Sequence, residues 1–498
     1  MKKTSLARLM ALLLVVIMAV AVMAACGGKD DDGKKGALSM DFPKTEDFRD
    51  LPAVDYNGYE FTFICEPYLD DNAYSTKYMI SESETGDTLL DSVYKRNSYL
   101  SDKYNITFDQ LRVTDLVTTV RSQVMGGSTE FDIIIGSAKD LATLAKEGHL
   151  LDLKSVEMFD MTKSYWDNNA AEELLIGDKL FFTNCDLNVQ EIAFVVYFNK
   201  QLITEKNLTS PYEYMANNQW TIDNWSNLVM SLNEDANGDG QYTEVDRYGT
   251  LYEHHNGRMF LYGAGVRATT NDPTTGKPIV TMMDSANKDK TEDVYSKVKK
   301  VFSSASSWSI DDMSAQDLHG YNDKFDYARS LFCQDLYLFH YEGTNIIHQF
   351  ADMESEFGIV PFPKYNSEQA EYRSMYPFMC AMVALPTTLK GEELQRTAQI
   401  IEDMNYFSSI WVEPAWYETL LKRRHARDDE SEANLEIIKQ GRVYDVGMYY
   451  DFGGICSKLL DADVRGGSSI STMYKRLQSA INAEIQRTYL DFDKIDNK

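Results

Sequence analysis

The sequence predicts an α/β protein built as two lobes, and three observations predict it. The first is the stretch Phe131 to Leu153, FDIIIGSAKDLATLAKEGHLLDL. Ile133, Ile134 and Ile135 form a short β-branched run, the mark of a strand buried on both faces. Leu141, Leu144 and Ala145 then repeat at helical spacing up to Gly148, which fits a helix C-terminus. The unit places the loop Gly136-Ser137-Ala138 at the carboxyl end of a strand, where open α/β sheets bind ligands. The second observation is the alternation of strand and helix patterns along the rest of the chain. The third is size: setting aside a 25-residue leader from 498 residues leaves 473, too many for one core and enough for two.

The leader is read from its parts. Lys2, Lys3 and Arg8 precede 17 consecutive apolar residues, Leu9 to Ala25, and small residues precede Cys26. Met23-Ala24-Ala25-Cys26 resembles a bacterial lipoprotein box, with Met23 standing where Leu, Val or Ile is usual. The box implies a signal peptide over residues 1–25, cleavage before Cys26, and a lipid such as palmitate on that residue. An uncleaved anchor is the alternative, and 17 residues is at the short limit for one. Either way the body lies outside the membrane. Residues 26–49 are rich in Gly, Lys and Asp and are expected to be a flexible tether.

Charge narrows the function classes. The leader holds three basic and no acidic residues, so the remaining chain carries 46 Lys and Arg against 77 Asp and Glu, a net −31. A nucleic-acid binder needs a basic face to meet phosphates, and this charge balance argues against that class. Repulsion from anionic lipid also keeps the body off the membrane except through its anchor. Beyond Cys26 there are five cysteines, Cys65, Cys185, Cys333, Cys380 and Cys456, an odd number at wide spacing. No zinc spacing occurs among them, and buried free thiols are expected.

Taken in order, Phe61, Phe63 and Cys65 alternate with Thr62 and Ile64 as a first strand. A helix follows from near Asp87, with Leu89, Val93 and Leu100 on one face, and a strand starts at Ile106. Leu180 to Phe182 and Ile192 to Phe198 are further strand runs. Trp220-Thr221 opens a helix carrying Trp225, Leu228 and Leu232, where helical spacing gives the tryptophans a core role. Residues 323–356 read as helix, strand and helix. In Phe357-Gly358-Ile359-Val360-Pro361-Phe362-Pro363-Lys364 the prolines fix φ, which suits either a hinge strand or a proline-bounded edge strand. Glu392 to Phe407 is an amphipathic helix, and Asp429-Glu430-Ser431 starts another. The last helix, Ser471 to Tyr489, uses Met473, Leu477, Ile481 and Ile485.

Several of these stretches resemble the family 1 extracellular solute-binding proteins of ABC importers, the carbohydrate-binding lipoproteins related to maltose-binding protein. They are Gly148-His149-Leu150-Leu151-Asp152-Leu153, the aromatic-Asn-Lys of Phe198-Asn199-Lys200, Trp220-Thr221, and Phe357 to Lys364. Glu84 to Ile106 and Val412 to Ile438 are similar to one branch of that family. The resemblance runs from about Tyr59 to Arg487. It implies the type II periplasmic-binding-protein-like fold, two hinged lobes around a central ligand cleft. The first lobe is expected at 50–192 and 360–408, the second at 193–359 and 409–498, with a third crossover near Phe407. It implies a monomer that is lipid-anchored on the extracellular face, captures a sugar or oligosaccharide, and delivers it to an ABC permease.

Two sets of site residues are expected. Asp235, Asn237, Asp239, Gln241, Thr243 and Asp246 have the spacing of an EF-hand calcium loop, with Gly240 at its sharp turn and Asp246 in place of the usual Glu. An acidic turn without metal is the alternative; loops of this kind occur in the family. For the sugar, position in the fold nominates Glu66, Ser137 and Asp140 from the first lobe. Asp186, Asn188, Gln190 and Glu191 lie around the crossover, and Tyr341, Glu342, Trp411 and Tyr450 come from the second lobe. Sugar sites combine aromatic faces with carboxylates and amides that bind paired hydroxyls. No GxSxG, HExxH or P-loop motif occurs, so a binding protein rather than an enzyme is expected. The competing readings are a surface polysaccharide-acting enzyme using two of the many carboxylates, and a scaffold or adhesin. His254-His255 reads as an exposed pair.

Overall fold

The computed structural model describes residues 42–66, 79–187, 193–314, 318–350, 353–421, 429–462 and 464–495, and residues 42–498 form one compact unit. The signal peptide, Cys26, Asn188, Gln190 and Glu191 lie outside the described residues. Among the described residues no helix is long and apolar enough to cross a membrane.

The first sheet is built by β1 (Tyr59–Cys65), β2 (Ile106–Arg112) and β3 (Ile133–Ser137) in the order β2-β1-β3, all parallel. Helix α1 (Thr88–Tyr104) connects β1 to β2, and α2 (Leu116–Gly126) connects β2 to β3. Asp87 caps α1 by accepting from the Leu89 and Leu90 amides, as its position before the apolar stripe predicts. The three isoleucines of β3 are fully buried. Gly136 is required by packing: a Cβ there would lie 2.4 Å from Leu116 Cδ2. Helix α3 (Ala138–Lys146) leaves β3 directly.

Beyond α4 (Asn168–Glu173) the chain builds the second sheet. Its members are β4 (Phe194–Asn199), β5 (Asn233–Glu234), β6 (Arg247–Tyr252), β9 (Ser307–Ser309), β10 (Tyr337–Gly343) and β11 (Phe357–Val360). The order is β11-β4-β10-β6-β5, and β9 adds to β6. Helices α5 (Lys200–Glu205), α6 (Pro211–Ala216), α7 (Ile222–Met230), α8 (Asn256–Gly263), α9 (Lys288–Phe302) and α10 (Lys324–Cys333) connect these strands, and the hairpin β7 (Thr269–Asn271) and β8 (Pro278–Val280) precedes α9. Trp220 and Trp225 are fully buried, and Trp220 Nε1 donates to the Pro361 carbonyl at 2.7 Å. Phe357 to Val360 is an edge strand of this sheet, paired antiparallel with β4, and its prolines follow the pairing.

The chain then returns through β12 (Ser374–Met375) to β13 (Ala381–Ala384), which pairs antiparallel with β3 at the edge of the first sheet. Helix α11 (Gly391–Phe407), a π-helical turn (Ser408–Val412) and α12 (Glu413–Leu421) run on without a break. The π-turn and α12 pack on α1, so no crossing occurs near Phe407. Helix α13 (Asp429–Gln440) packs on β11 instead. Then follow β14 (Arg442–Val443), α14 (Val446–Tyr449) and the long α15 (Ile470–Asp493).

Two expectations are corrected. Leu180 to Phe182 is buried but forms no ladder; Thr183 makes one bridge with Val383. Residues 42–49 are not tether: the Phe42 ring lies 5.0 Å from that of Phe407, and Arg49 pairs with Glu402 at 2.6 Å. Two phenylalanines, Phe42 and Phe48, give that segment apolar area to bury. Arg96 is fully buried and bonds Asn97, Ser408 and the Met79 carbonyl, and burial lowers its pKa to about 9.

Candidate ligand cleft

Ligand chemistry in an α/β sheet belongs at the carboxyl ends of its parallel strands. In the first sheet these ends are Glu66 after β1 and Ser137 at the end of β3. Ser137 caps α3, its Oγ accepting from the Asp140 amide at 3.1 Å and donating to Asp140 Oδ2 at 2.6 Å. Those two nominated residues therefore satisfy each other. The segment entering β13 covers the first turn of α3: the Ala138 and Lys139 amides donate to the Cys380 and Phe378 carbonyls, both at 3.1 Å. This leaves the Phe378 ring on the carboxyl edge.

Glu66 behaves differently. It is 7% exposed, and its Oε1 accepts from the Leu116 amide at 3.2 Å. Its Oε2 is buried with no hydrogen-bond partner among the described residues. A buried carboxylate oxygen left unpaired costs a few kcal/mol, on the order of 1–3, and is a natural acceptor for a ligand.

In the second sheet the carboxyl end of β6 is Glu253-His254-His255, leading into α8, and that of β10 is Glu342. His255 Nε2 lies 3.1 Å from Glu253 Oε2, and His254 Nδ1 lies 2.8 Å from Asp311 Oδ2. The histidines are thus not a free exposed pair; each is held by an acidic side chain. Glu342 is gripped by Arg329, whose Nε donates to both carboxylate oxygens, and by His340 Nε2 at 2.9 Å. Burial pushes the Glu342 pKa up, but those hydrogen bonds from His340 and Arg329 outweigh it and hold the carboxyl below its ordinary range.

Arg258, on the first turn of α8, is 2% exposed. It pairs with Asp461, its NH1 lies 3.8 Å from Cys456 Sγ, and its guanidinium sits 5.2 Å from the centre of the Phe378 ring. Its Nε is buried without a partner among the described residues. Phe378 and Arg258 are therefore where the carboxyl edge of one sheet meets that of the other. The pattern of the sequence does not select either residue, because their 120-position separation is closed only by the fold. Glu253 and His255 had a weak signal, lying directly after the apolar run of β6.

The nominated aromatics are spent on packing. Tyr341 is 2% exposed within the second core, and its hydroxyl bonds Trp225 Nε1 at 2.8 Å and Thr250 Oγ1 at 2.7 Å. Trp411 stacks on Phe407 at 4.9 Å beside Tyr99 of α1. Tyr450 is 3% exposed, stacked on Phe452 at 5.5 Å and flanked by Phe182 and Phe492. Asp186 follows the bridge residue Cys185, and its amide donates to the Tyr165 carbonyl.

In the 235–246 loop the oxygens lie on the loop's own amides. Asp235 accepts from Gly238 and Gly240, Asn237 from Asp239, and Asp239 from Gln241. The two oxygens of fully buried Asp246 accept from Ala236 and Thr243. Among the described residues no three His, Cys, Asp or Glu side chains gather as a metal-binding group.

No protein-family model matches the chain, and no curated protein matches it. Solved structures do. A sugar transporter protein from Rhizobium etli in an open conformation matches with TM-score 0.55 at 14% identity, over 86% of this chain and 100% of that one. An ABC substrate-binding protein from Listeria monocytogenes in complex with cycloalternan matches with TM-score 0.52 at 12% identity, over the same shares. The maltose/maltodextrin-binding domain from Bdellovibrio bacteriovorus bound to maltotriose matches with TM-score 0.51 at 14% identity, again over 86% and 100%. The fold is the type II periplasmic-binding-protein-like fold expected from the sequence.

The Glu253–His255 pair has a measurable consequence. Burial, reinforced by the negative charges of Glu342 and Asp311, raises the Glu253 pKa to about 8, and burial with Arg258 and His254 nearby lowers that of His255 to about 3. Both groups are neutral at pH 7. Between the ordinary values of 4.5 and 6.5 their effects on stability cancel, one proton retained against one released. From pH 6.5 to about 8 only Glu253 acts. The folded state keeps a proton that the unfolded state has lost, so stability falls as pH rises, by on the order of 1–2 kcal/mol. Urea denaturation at the two ends of that window measures it. Glu253→Gln should flatten the fall; an unchanged slope would remove the pair as its source.

Proposed function

We propose that the chain is a solute-binding receptor. It captures a sugar or short oligosaccharide between the two carboxyl edges and delivers it to the permease of an ABC importer, from a lipid anchor on the extracellular face. The observation that carries this reading is the meeting of the two edges at Phe378 and Arg258. The fold supports it, since the matched proteins from Listeria and Bdellovibrio hold cycloalternan and maltotriose. The chemistry at the edges also suits a sugar. The unpaired Glu66 Oε2 is an acceptor, the unpaired Arg258 Nε is a donor, and Phe378 offers an aromatic face for C–H groups.

A thermal-shift screen against mono- and oligosaccharides tests the substrate class, because a ligand of the native state alone raises its melting point. A saccharide hit is expected. Glu66→Gln and Arg258→Ala should each weaken it at least ~10-fold, the size of one charge-assisted hydrogen bond. A saccharide whose affinity is indifferent to both variants would bind elsewhere.

The anchor is proposed from the lipoprotein box. Cys26→Ser should release the chain to the medium or block its processing. Full membrane retention at unchanged mobility would identify an uncleaved anchor instead. A structural calcium ion in the 235–246 loop is proposed on the spacing of its oxygen donors alone, with Asp235, Asn237, Asp239, the Gln241 carbonyl, Thr243 and Asp246 as ligands. It predicts a higher melting point in calcium than in chelator, and equal melting points would discard it.

A further inference from the structure

The carboxyl edge of the second sheet holds three acids that feel one another: Glu253 at the end of β6, Glu342 on β10, and Asp311 in the helical turn after β9. The basic groups around them are committed. Arg329 and His340 hold Glu342, Lys324 and His254 hold Asp311, and Arg258 pairs with Asp461. Arg465, which lies over the ring of the neighbouring Tyr252, pairs with Asp312. Among the described residues the one basic side chain within ion-pair distance of Glu253 is His255, with Nε2 3.1 Å from Oε2. The backbone here is fixed: the Glu253 amide donates to Asn256 Oδ1 at 2.7 Å, and the Asn256 amide donates back to the Glu253 carbonyl at 3.0 Å.

This last pair does not resolve as an ion pair. Burial opposes a negative charge on Glu253, and Glu342 and Asp311 oppose it further. Burial opposes a positive charge on His255, as do Arg258 and His254. The carboxyl therefore keeps a proton, and the pair has two arrangements. In one, the acid donates to Nε2. In the other, His255 carries its hydrogen on Nε2 and donates it to Oε2, and the acid proton stands on Oε1. A carboxylate only accepts hydrogen bonds, whereas the second arrangement is a donor. A ligand oxygen that can only accept selects that second arrangement. The Glu253 side chain is 11% exposed, so it meets solvent at this edge.

We propose that Glu253 is a specificity-determining residue of the cleft: a neutral acid that donates its proton to an ether oxygen of the solute, the ring or glycosidic oxygen of a pyranoside. This rests on the receptor reading and adds to it the kind of solute atom that the second edge binds. Ether oxygens accept and cannot donate, so an edge of ionised carboxylates would repel them.

The test is equilibrium dialysis of the full chain against an equimolar mixture of neutral methyl pyranosides and disaccharides, at pH 7 and at pH 9. With the Glu253 pKa at about 8, the protonated share falls roughly tenfold between the two, and the sugar retained at low loading should fall with it. Glu253→Gln, which offers an N–H donor at both pH values, should level them. Glu253→Leu should lose retention at both. Equal wild-type retention at the two pH values overturns the proposal and leaves the receptor reading in place. A fall that persists in Glu253→Gln overturns it too, because another group would then titrate. So does a fall that tracks loss of the near-ultraviolet circular dichroism, which would be unfolding. No retention at pH 7 overturns both readings.

Discussion

The two halves are tied at two adjacent buried residues, Asp445 and Tyr444. Asp445 is 1% exposed and accepts from Tyr262 of α8, from the Ala268 amide, from the amide and hydroxyl of Thr269 on β7, and from the Gly447 amide. Each donor offsets part of a desolvation cost that would otherwise be prohibitive. Its neighbour Tyr444 faces the other way, as successive residues of extended backbone must. The Tyr444 hydroxyl donates to Asp167 at 2.6 Å and its amide to Glu173 at 2.8 Å, while its ring lies 4.9 Å from that of Tyr376. Two adjacent residues thus hold elements of both halves, and Arg267 adds an ion pair to Glu173.

Fixing α8 through Tyr262 also fixes what α8 presents. Arg258 lies one turn above, so the strap at 444–445 sets where the guanidinium meets Phe378. The electrostatics of the second edge follow the same economy. Arg329 is paired with Glu342, Lys324 with Asp311, Arg258 with Asp461, and Arg465 with Asp312. Glu253 keeps its proton. In a chain of net charge −28 this edge is close to neutral, and the negative charge lies elsewhere. Such a wall favours a ligand that needs hydrogen-bond partners over one that needs a counter-charge.

What was legible in the sequence was local. The strand of isoleucines, the helix that starts at Asp87 and the tryptophan helix all follow from patterns within a few residues, and the structure has them where the patterns put them. The aromatic platforms were misplaced for a physical reason. A tyrosine in a core and one on a cleft wall have the same residue type, and only the partner of the hydroxyl tells them apart. Tyr341 spends its hydroxyl on Trp225 and Thr250, which lie about a hundred positions away. Phe378 and Arg258 carry no pattern at all, since each is defined by the other. The segment 42–49 was misread because its charges outnumber its two phenylalanines, yet two rings suffice to dock it.

The two kinds of contact between the halves differ in strength, and that difference gives the molecule its line of motion. At the strap, Asp445 and Tyr444 are buried and multiply bonded, so parting them would strand several donors at about 1–3 kcal/mol each. At the edges, Arg258 meets Phe378 through a cation–π contact worth about 0.5–2 kcal/mol. Separation at the edges with the strap intact is therefore the cheapest way to admit a solute. A solute that touched one edge alone would shift nothing, because it would bind open and closed forms equally. In the proposed receptor, a ligand that engages Glu66 on one side and Arg258 on the other is the kind that would gain from closure. Glu66 Oε2 and Arg258 Nε, one on each edge, are among the buried polar atoms that have no partner among the described residues.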